Sequence, residues 1–249
     1  MSLLRVENVS KHFGNLIAVN EVSMTVEPGE LRAVIGPNGA GKTTFFNLIS
    51  GFLTPTSGRI IFDGEDVTNL LPARRVWRGM ARTFQITEVF PELTVRENLR
   101  IAVEVAAGYR LSPWLSKSAD IEISGRVGEL MGMGGLDQKA DRLVGELAHG
   151  DQRSTEIMMA LALKPRLLLL DEPTAGMGEQ ETYDITQLIR KLHRDQKLTI
   201  VLIEHDMRVV FHLADRIMVL AEGRMLAEGT AQEITANEAV QAAYLGQAA

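Results

Sequence analysis

The residues from Gly36 to Thr43 read G-P-N-G-A-G-K-T and directly follow the apolar run from Leu31 to Ile35. This spacing matches the pattern G-x-x-x-x-G-K-[ST], in which small residues let backbone N–H groups close around phosphate oxygens. A strand, a glycine-rich turn and a helix start in this order also bring the positive end of a helix dipole to the same point. The stretch therefore predicts a phosphate-binding loop, in which Lys42 reaches the β- and γ-phosphates and the Thr43 hydroxyl ligates Mg²⁺.

Length and composition are typical of a globular protein. The chain has 249 residues, of which 45% are hydrophobic and 23% charged, enough to bury a substantial core. Its net charge of -6 argues against a broad nucleic-acid surface, because such a surface needs clustered Lys and Arg. The main basic cluster consists of Arg74, Arg75, Arg78 and Arg82. A cluster of this kind is typical of a solvated face.

The chain contains no cysteine, which excludes a disulfide framework, thiolate–zinc sites and thiol catalysis and fits a reducing cytosol. No run approaches the ~18 apolar residues that a membrane span requires. The start, Met1 to Arg5, lacks a secretory charge-then-apolar pattern. We therefore expect the protein to remain where it is made and to contact a membrane only through a partner.

The pattern of apolar residues predicts a β/α chain with a helical insertion. Short β-rich runs alternate with turns over the first thirty residues, and a helix is predicted from Thr44 to Ser50. Apolar residues recur at helical spacing from Val95 to Ala107 and from Ile121 to Met131. Three apolar runs then predict buried parallel strands, with a crossover helix after the first and a hairpin after the last: Leu167 to Leu170, Thr199 to Glu204 and Ile217 to Leu220.

Polar residues end several of these strands, where α/β sheets present their ligands. Asp171 and Glu172 follow the run of four leucines, so that Asp171 could support Mg²⁺ and Glu172 could polarise an attacking water. His205 follows the strand from Thr199 and could contact a terminal phosphate, or serve as a structural hydrogen-bonding group. Gln85 ends an earlier predicted strand and could touch Mg²⁺ or water.

Five motifs occur in the order found in one family. They are the phosphate loop, Gln85, the stretch L-A-H-G-D-Q-R at 147–153 in the place of a Leu-Ser-Gly-Gly-Gln signature, D-E-P-T at 171–174, and His205. The chain resembles the ATP-binding subunit of ABC transporters over essentially its whole length. Within that family it is similar to ATPases of importers for branched-chain amino acids and related polar solutes such as urea, through A-R-T-F-Q at 81–85, F-P-E-L-T-V at 90–95, A-G-M at 175–177 and A-Y-L-G at 243–246.

The resemblance implies an α/β fold of the P-loop NTPase (ABC ATPase) class, in a single domain over residues 1–249. A RecA-like core and an N-terminal antiparallel β subdomain would occupy 1–86 and 164–249, and an inserted α-helical signature subdomain would occupy 87–163. It also implies that two subunits meet head to tail, each ATP lying between the phosphate loop of one subunit and the signature of the other. The predicted helix that begins near Arg153 would then point its N-terminus at the γ-phosphate.

The resemblance also implies roles for individual residues. Glu172, His205 and Gln85 would be catalytic, and Thr43, Gln85 and Asp171 would hold Mg²⁺. Phe13, in a turn, could pack on the core, but it corresponds to the family's adenine-stacking aromatic. The ATP contacts would be Phe13, Gly36, Pro37, Asn38, Gly39, Ala40, Gly41, Lys42, Thr43, Thr44, Ala148, His149, Gly150, Asp151 and Gln152.

The implied function is ATP binding and hydrolysis that powers uptake of a branched-chain amino acid or a related small polar solute. The implied partners are two transmembrane permease subunits, a second ABC ATPase subunit and, indirectly, an extracytoplasmic solute-binding protein, with no nucleic acid. The protein would be a peripheral subunit at the cytoplasmic face of the inner (plasma) membrane. Alternatives are the ATPase of a lipid or lipopolysaccharide exporter, a non-transport ABC protein of DNA repair or translation, and a generic P-loop kinase.

Three positions depart from the family's pattern. Ala148 replaces the signature serine, and Asp151 adds negative charge where the family has glutamine, which is unfavourable near phosphate unless the side chain faces away. Gly178 takes the place of an aspartate that serves cross-subunit communication. These changes predict weaker or asymmetric hydrolysis. In the segment from Glu88 to Glu97, exposed Phe90 and Leu93 are predicted to line a groove for a permease helix.

Overall fold

The computed structural model describes residues 2–83, 89–109 and 116–245. None of the helices in these ranges is long and apolar enough to cross a membrane. Ten strands lie in the described ranges: β1 (Leu4–Phe13), β2 (Leu16–Val26), β3 (Leu31–Ile35), β4 (Ser57–Phe62), β5 (Glu65–Asp66), β6 (Met80–Arg82), β7 (Leu167–Asp171), β8 (Thr199–Ile203), β9 (Arg216–Ala221) and β10 (Arg224–Gly229).

The described helices connect these strands and form a separate group between β6 and β7. They are α1 (Lys42–Ser50), α2 (Pro72–Val76), α3 (Val95–Ala106), α4 (Lys117–Gly134), α5 (His149–Ala162), α6 (Glu179–Gln196), α7 (Met207–Leu213), α8 (Ala231–Thr235) and α9 (Glu238–Leu245). Two short 3₁₀ turns, Asp137–Lys139 and Val144–Glu146, lead from α4 into α5. The predicted helical insertion, crossover helix and final hairpin are confirmed.

The strands form two sheets. One is antiparallel, in the order β2-β1-β4-β5, and the other has the order β10-β9-β3-β8-β7-β6. In the second sheet β9, β3, β8, β7 and β6 pair in parallel, and only β10 is antiparallel to its neighbour. The carboxyl ends of β3, β7 and β8 therefore lie at one edge of the sheet, which is where the predicted phosphate loop, acids and histidine begin.

Both faces of the parallel sheet are covered by apolar side chains. Leu168 and Leu170 of β7 join a core with α3, α4, α5 and α6, whereas Leu167 and Leu169 join a core with α1 and the antiparallel sheet. Successive side chains of a strand point to opposite faces, so the unbroken run of leucines fills both cores at once. This double burial fixes the end of β7, where Asp171 lies and after which Glu172 follows.

The helix of the signature region begins at His149, so the prediction that it begins near Arg153 is wrong. Its N-cap, Ala148, has extended backbone (φ −60°, ψ 154°) and no side-chain cap, and the N–H groups of Asp151 and Gln152 both donate to the Ala148 carbonyl. The sequence gives no Ser, Thr, Asp or Asn at this cap, which is the usual signal for a helix start. The first turn of α5 is therefore made of the signature residues themselves.

Candidate active site

A cleft of about 540 Å³ opens at the carboxyl edge of the parallel sheet. Its floor is the start of α1 with the phosphate loop, and Glu172 of the β7 end faces it. The antiparallel sheet and the hairpin between β9 and β10 complete the wall. The lining residues are Leu16, Ile17, Ala18, Asn38, Gly39, Ala40, Gly41, Lys42, Thr43, Thr44, Glu172, Glu222 and Gly223. Six consecutive residues of the predicted phosphate-binding loop, and Thr44 after them, thus line one cleft together with the predicted catalytic carboxylate.

The phosphate loop is shaped by glycines that adopt backbone conformations closed to other residues. At Gly36, φ is +153°, and a Cβ there would lie 2.1 Å from the Leu220 carbonyl oxygen of β9. Gly41, the N-cap of α1, has φ +94°, and a Cβ there would lie 2.4 Å from the Ala18 carbonyl oxygen of β2. The loop therefore lies against both sheets, which fixes the start of α1 within the cleft.

Lys42 is buried at the base of the loop and bonded to it. Its Nζ donates to the carbonyls of Gly36 at 2.6 Å and Pro37 at 3.0 Å. Burial lowers the pKa of the Lys42 ammonium, and the negative charges of Glu172 and Asp171 act in the opposite direction. The ammonium is thus close enough to both strand-end acids to feel their charge, and it neutralises part of an acidic site.

Asp171 is buried at the end of β7 and forms an ion pair with Arg82 of β6. The distance from Asp171 Oδ2 to the nearest guanidinium nitrogen is 2.8 Å, with 6% and 8% of the two side chains exposed. Thr43, in contrast, is exposed at the start of α1 and lines the cleft. The carboxylate and the hydroxyl predicted to hold Mg²⁺ therefore belong to two elements packed side by side.

Glu172 turns away from the strand with φ +45°, an uncommon conformation for a residue with a side chain. Its N–H donates to the Ile203 carbonyl at 3.0 Å, which holds the turn against the end of β8. His205 follows β8, and its Nδ1 lies 3.9 Å from Glu172 Oε2, with 63% of the histidine side chain exposed. The structure thus brings two of the three predicted catalytic residues together, and one of them, Glu172, lines the cleft.

Glu204 is a residue whose role the sequence did not indicate. It is fully buried, its Oε2 accepts the His205 N–H at 2.9 Å, and its Oε1 accepts the Thr174 N–H at 3.1 Å and the Thr174 hydroxyl. It therefore fastens the loop after Glu172 to the start of the His205 loop. The only signal in the sequence is an acid at the end of an otherwise apolar strand.

The signature residues line a different cavity in this chain. Ala148, Gly150 and Asp151 border a space of about 370 Å³ between α4, α5 and α6, and none of them borders the phosphate cleft. Asp151 Oδ1 accepts a bond of 2.6 Å from Lys139 Nζ. This ion pair turns the extra negative charge of Asp151 toward the chain's own lysine, which meets the condition under which the substitution is tolerated. Ala148 and His149 are exposed at the start of α5, and Gln152 bonds to the Leu147 carbonyl at 2.9 Å.

Glu181 of α6 connects the signature to the loop that begins at Glu172. Its Oε1 accepts the Gly150 N–H at 3.0 Å, and its Oε2 accepts the Gly178 N–H at 3.3 Å. These two bonds lower the pKa of the Glu181 carboxyl. One carboxylate thus caps the first turns of α5 and α6 together, and it does so beside Gly178, where the family's aspartate is missing.

Phe13 and Gln85 lie outside this set of contacts. Phe13 ends β1 with 47% of its surface exposed, the Lys11 ammonium lies 5.3 Å from its ring centre, and Leu16 and Ile17 rather than Phe13 line the cleft. Adenine stacking on Phe13 remains a prediction. Gln85 lies outside the described residues, so its predicted contacts with Mg²⁺ or water also remain predictions.

The prediction of a solvated basic face is wrong for two of its four arginines. Arg75 is 1% exposed and donates to four carbonyls, those of Leu48, Ile49, Thr68 and Leu70, and burial lowers its pKa to about 10. Arg82 is buried against Asp171. Leu93 is half-buried rather than exposed, whereas Phe90 is 46% exposed as predicted.

Comparisons with known proteins agree with this geometry. Residues 19–175 match the ABC transporter family, and residues 224–249 match the branched-chain amino acid ATP-binding cassette transporter family. The high-affinity branched-chain amino acid transport ATP-binding protein BraF of Pseudomonas aeruginosa is 40% identical, over 99% of this chain and 98% of that protein. The match over residues 19–175 and the match over the C-terminal residues, which include β10, α8 and α9, thus indicate the same class of protein.

Two solved structures share the fold over nearly the whole chain. The ADP conformation of MJ1267, an ATP-binding cassette of an ABC transporter, superposes with a TM-score of 0.87 at 30% identity, covering 99% of each chain. A dimeric post-hydrolysis state of the ATP-binding cassette MJ0796, bound to ADP and Pi, gives 0.76 at 27% identity, covering 92% of this chain and 98% of that one. Together with the geometry of the site, these similarities show that the chain belongs to the ABC transporter family, as an ATP-binding and ATP-hydrolysing subunit.

Proposed function

We propose that this chain hydrolyses Mg²⁺-ATP between two head-to-tail subunits and thereby drives uptake of branched-chain amino acids through partner permeases. The observation that carries the proposal is the cleft in which the phosphate loop, Lys42 and Glu172 meet. Backbone N–H groups, a helix N-terminus and an ammonium bind the phosphates of ATP there. Glu172 orients the attacking water, and His205 lies beside it to contact the terminal phosphate.

Lys42 changes partners when ATP binds. In the structure its ammonium is bonded to the Gly36 and Pro37 carbonyls of its own loop. Phosphate oxygens offer it charge-assisted hydrogen bonds, which are stronger than bonds to neutral carbonyls. The lysine is therefore held at the phosphate loop before ATP arrives, and then transfers its bonds to the phosphates.

The residues at the cleft also fit a magnesium ion. Mg²⁺ prefers oxygen ligands, and Thr43 and Asp171 offer a hydroxyl and a carboxylate close to the phosphate loop. Over residues 2–83, 89–109 and 116–245, no group of three or more His, Cys, Asp or Glu side chains could hold a metal ion. The ion would be shared with ATP phosphates, as Mg²⁺ commonly is, and would supply positive charge to the transferring phosphoryl group.

The second half of each nucleotide site comes from a neighbouring subunit. In this chain the signature residues border a cavity that shares no residue with the phosphate cleft. The N-terminus of α5, with Ala148 and His149 exposed, is free to approach the phosphates held by another copy or by a related ATPase. The dimeric state of the MJ0796 cassette supports this arrangement.

The transport role rests on the relatives and on the C-terminal match. BraF is a branched-chain amino acid transport protein, and residues 224–249 match a family of such transporters. The chain would act on the cytoplasmic face of the inner membrane, with two permeases and, indirectly, an extracytoplasmic binding protein that selects the solute. In vesicles containing the permeases, leucine uptake should require both this chain and ATP, and uptake that persists without the chain would contradict the role.

The catalytic assignment is tested by Glu172→Gln. The variant should still bind ATP and accumulate as an ATP-dependent dimer, while phosphate release falls about 10²- to 10⁴-fold, the range that a positioned base contributes. Glu222→Gln makes the same charge change at another carboxylate of the cleft and should alter turnover far less. Binding is measured by calorimetry and dimer formation by sedimentation. A Glu172→Gln protein that releases phosphate at the parent's rate would remove Glu172 from this role.

A further inference from the structure

Arg82 connects the two elements that carry the proposed metal ligands. One terminal nitrogen of its guanidinium donates to Asp171 Oδ2 at 2.8 Å, at the end of β7. The other donates to Asn47 Oδ1 and Ser50 Oγ, both at 2.7 Å, on α1. Because α1 also carries Thr43, a single planar group sets the position of the Asp171 carboxylate relative to the helix that bears the hydroxyl.

Two aromatic rings hold the guanidinium in this position. Its central carbon lies 5.6 Å from the ring centre of Phe46 and 5.5 Å from that of Phe52. Both distances are within the range of attractive cation–π contacts. With 8% of the Arg82 side chain exposed, the guanidinium is largely shielded from water, unlike that of a surface arginine.

We infer that Arg82 is a positioning residue for the magnesium site. By holding Oδ2, it fixes the plane of the Asp171 carboxylate and therefore the direction of the second oxygen, Oδ1. Hydrogen-bonded partners of metal-binding carboxylates commonly set metal affinity in this way. The inference rests on the proposed Mg²⁺-ATP function and adds to it a residue that contacts neither nucleotide nor metal.

The alternative explanation is that the ion pair has only a structural role, joining β6, β7 and α1. A buried pair of this kind loses stability when one partner is removed, whatever its role in metal binding. Stability alone therefore cannot separate the two explanations. The two explanations are separated by the ratio of the nucleotide affinity with Mg²⁺ to the affinity without it. Loss of a purely structural ion pair should leave this ratio unchanged.

The test compares Arg82→Lys with Arg75→Lys. Lysine keeps the charge, but its single ammonium cannot bridge Asp171 and the Asn47–Ser50 pair as the planar fork does. Arg75 is also buried and also bonded to α1, through the Leu48 and Ile49 carbonyls, but all four of its bonds go to carbonyls rather than to a strand-end acid. Arg75→Lys is thus a matched control for losing a buried arginine beside α1.

The dissociation constant for ADP is measured by calorimetry in EDTA and at millimolar Mg²⁺, and Mn²⁺ bound to the ADP complex is measured by electron paramagnetic resonance. In Arg82→Lys, the Mg²⁺-dependent gain in affinity and the affinity for Mn²⁺ should fall about 10- to 100-fold, the usual cost of losing such a partner. The affinity in EDTA should stay at the parent's value. Arg75→Lys should keep the full metal-dependent gain, even if it melts earlier.

Asn47→Ala provides a second variant that leaves both charges in place. It removes one of the two α1 acceptors and should produce a smaller loss of the same kind. An unchanged metal-dependent gain in Arg82→Lys, or an equal loss in Arg75→Lys, would show that Arg82 is structural only. If the parent itself shows no Mg²⁺ dependence, the metal site of the proposed function fails, and the role of Arg82 fails with it.

Discussion

Replacing Gly41 by alanine tests how closely the phosphate loop lies against the antiparallel sheet. Gly39 provides the control, because both glycines are left-handed, with φ +94° and +80°. A Cβ at Gly41 would lie 2.4 Å from the Ala18 carbonyl oxygen, whereas a Cβ at Gly39 would have nothing within 4 Å. The two substitutions therefore share the backbone cost and differ in the steric one.

The expected costs follow from these two contributions. A left-handed alanine costs about 1–2 kcal/mol relative to glycine, and the stiffer unfolded chain gives back about 0.4–1 kcal/mol. Gly39→Ala should therefore lose about 1 kcal/mol, or about 2–4 °C in Tm for a chain of this size. In Gly41→Ala, forcing the Ala18 backbone away adds about 1–3 kcal/mol. Its total is about 3 kcal/mol, or about 6–12 °C.

Thermal unfolding followed by circular dichroism, without nucleotide, gives the two Tm values directly. Calorimetry on the folded proteins then gives their ATP affinities. Because Gly39 lines the cleft, its added methyl group enters the space where phosphate binds, so Gly39→Ala should lose affinity out of proportion to its small loss of stability. A Gly41→Ala protein that melts within a degree or two of Gly39→Ala would refute the contact between the loop and β2.

Two further predictions concern surfaces away from the cleft. Because the pKa of Glu181 is lowered from its ordinary 4.5 by its bonds to Gly150 and Gly178, the carboxylate stabilises the fold above that value and the benefit is lost as the pH falls through the lowered pKa. The Tm advantage of the parent over Glu181→Gln should therefore shrink between pH 7 and pH 4, and a constant difference would contradict it. Phe90→Ala should leave Tm and basal ATPase activity unchanged, because the side chain is 46% exposed, but should lower permease-coupled transport in vesicles. Transport equal to the parent's would remove Phe90 from the permease surface.

Local signals were sufficient to predict the fold and to place the phosphate loop, the strand-end acids and His205 at one edge of the sheet. The phosphate loop is a contiguous motif, and the apolar runs before Asp171 and His205 identified the buried strands and the polar residues at their carboxyl ends. Helix α5 begins at His149, before its predicted start near Arg153. Its N-cap, Ala148, makes no side-chain hydrogen bond, so the sequence carries no capping signal for this start.

The supporting residues could not be predicted, because their partners are distant in sequence. Arg82 and Asp171 are separated by 89 positions, and Glu181 and Gly150 by 31. Arg75 and Arg82 belong to a basic cluster whose sequence is typical of a solvated face. Both side chains are nevertheless buried, and the guanidinium of each donates hydrogen bonds to several acceptors. Only the packing of β6 and α2 against α1 shows which arginines point inward.

The carboxylate of Glu181, shared between the starts of α5 and α6, has a consequence for a pair of such subunits. In the head-to-tail dimer proposed above, the loop after Glu172 would serve one ATP, and the start of α5 in the same chain would close over the other. Since both are hydrogen-bonded to the same side chain, the loop cannot rearrange after hydrolysis without disturbing the helix above the second nucleotide. In the proposed dimer, hydrolysis of one ATP would therefore shift the helix end at the other site, and we expect the two sites not to turn over independently.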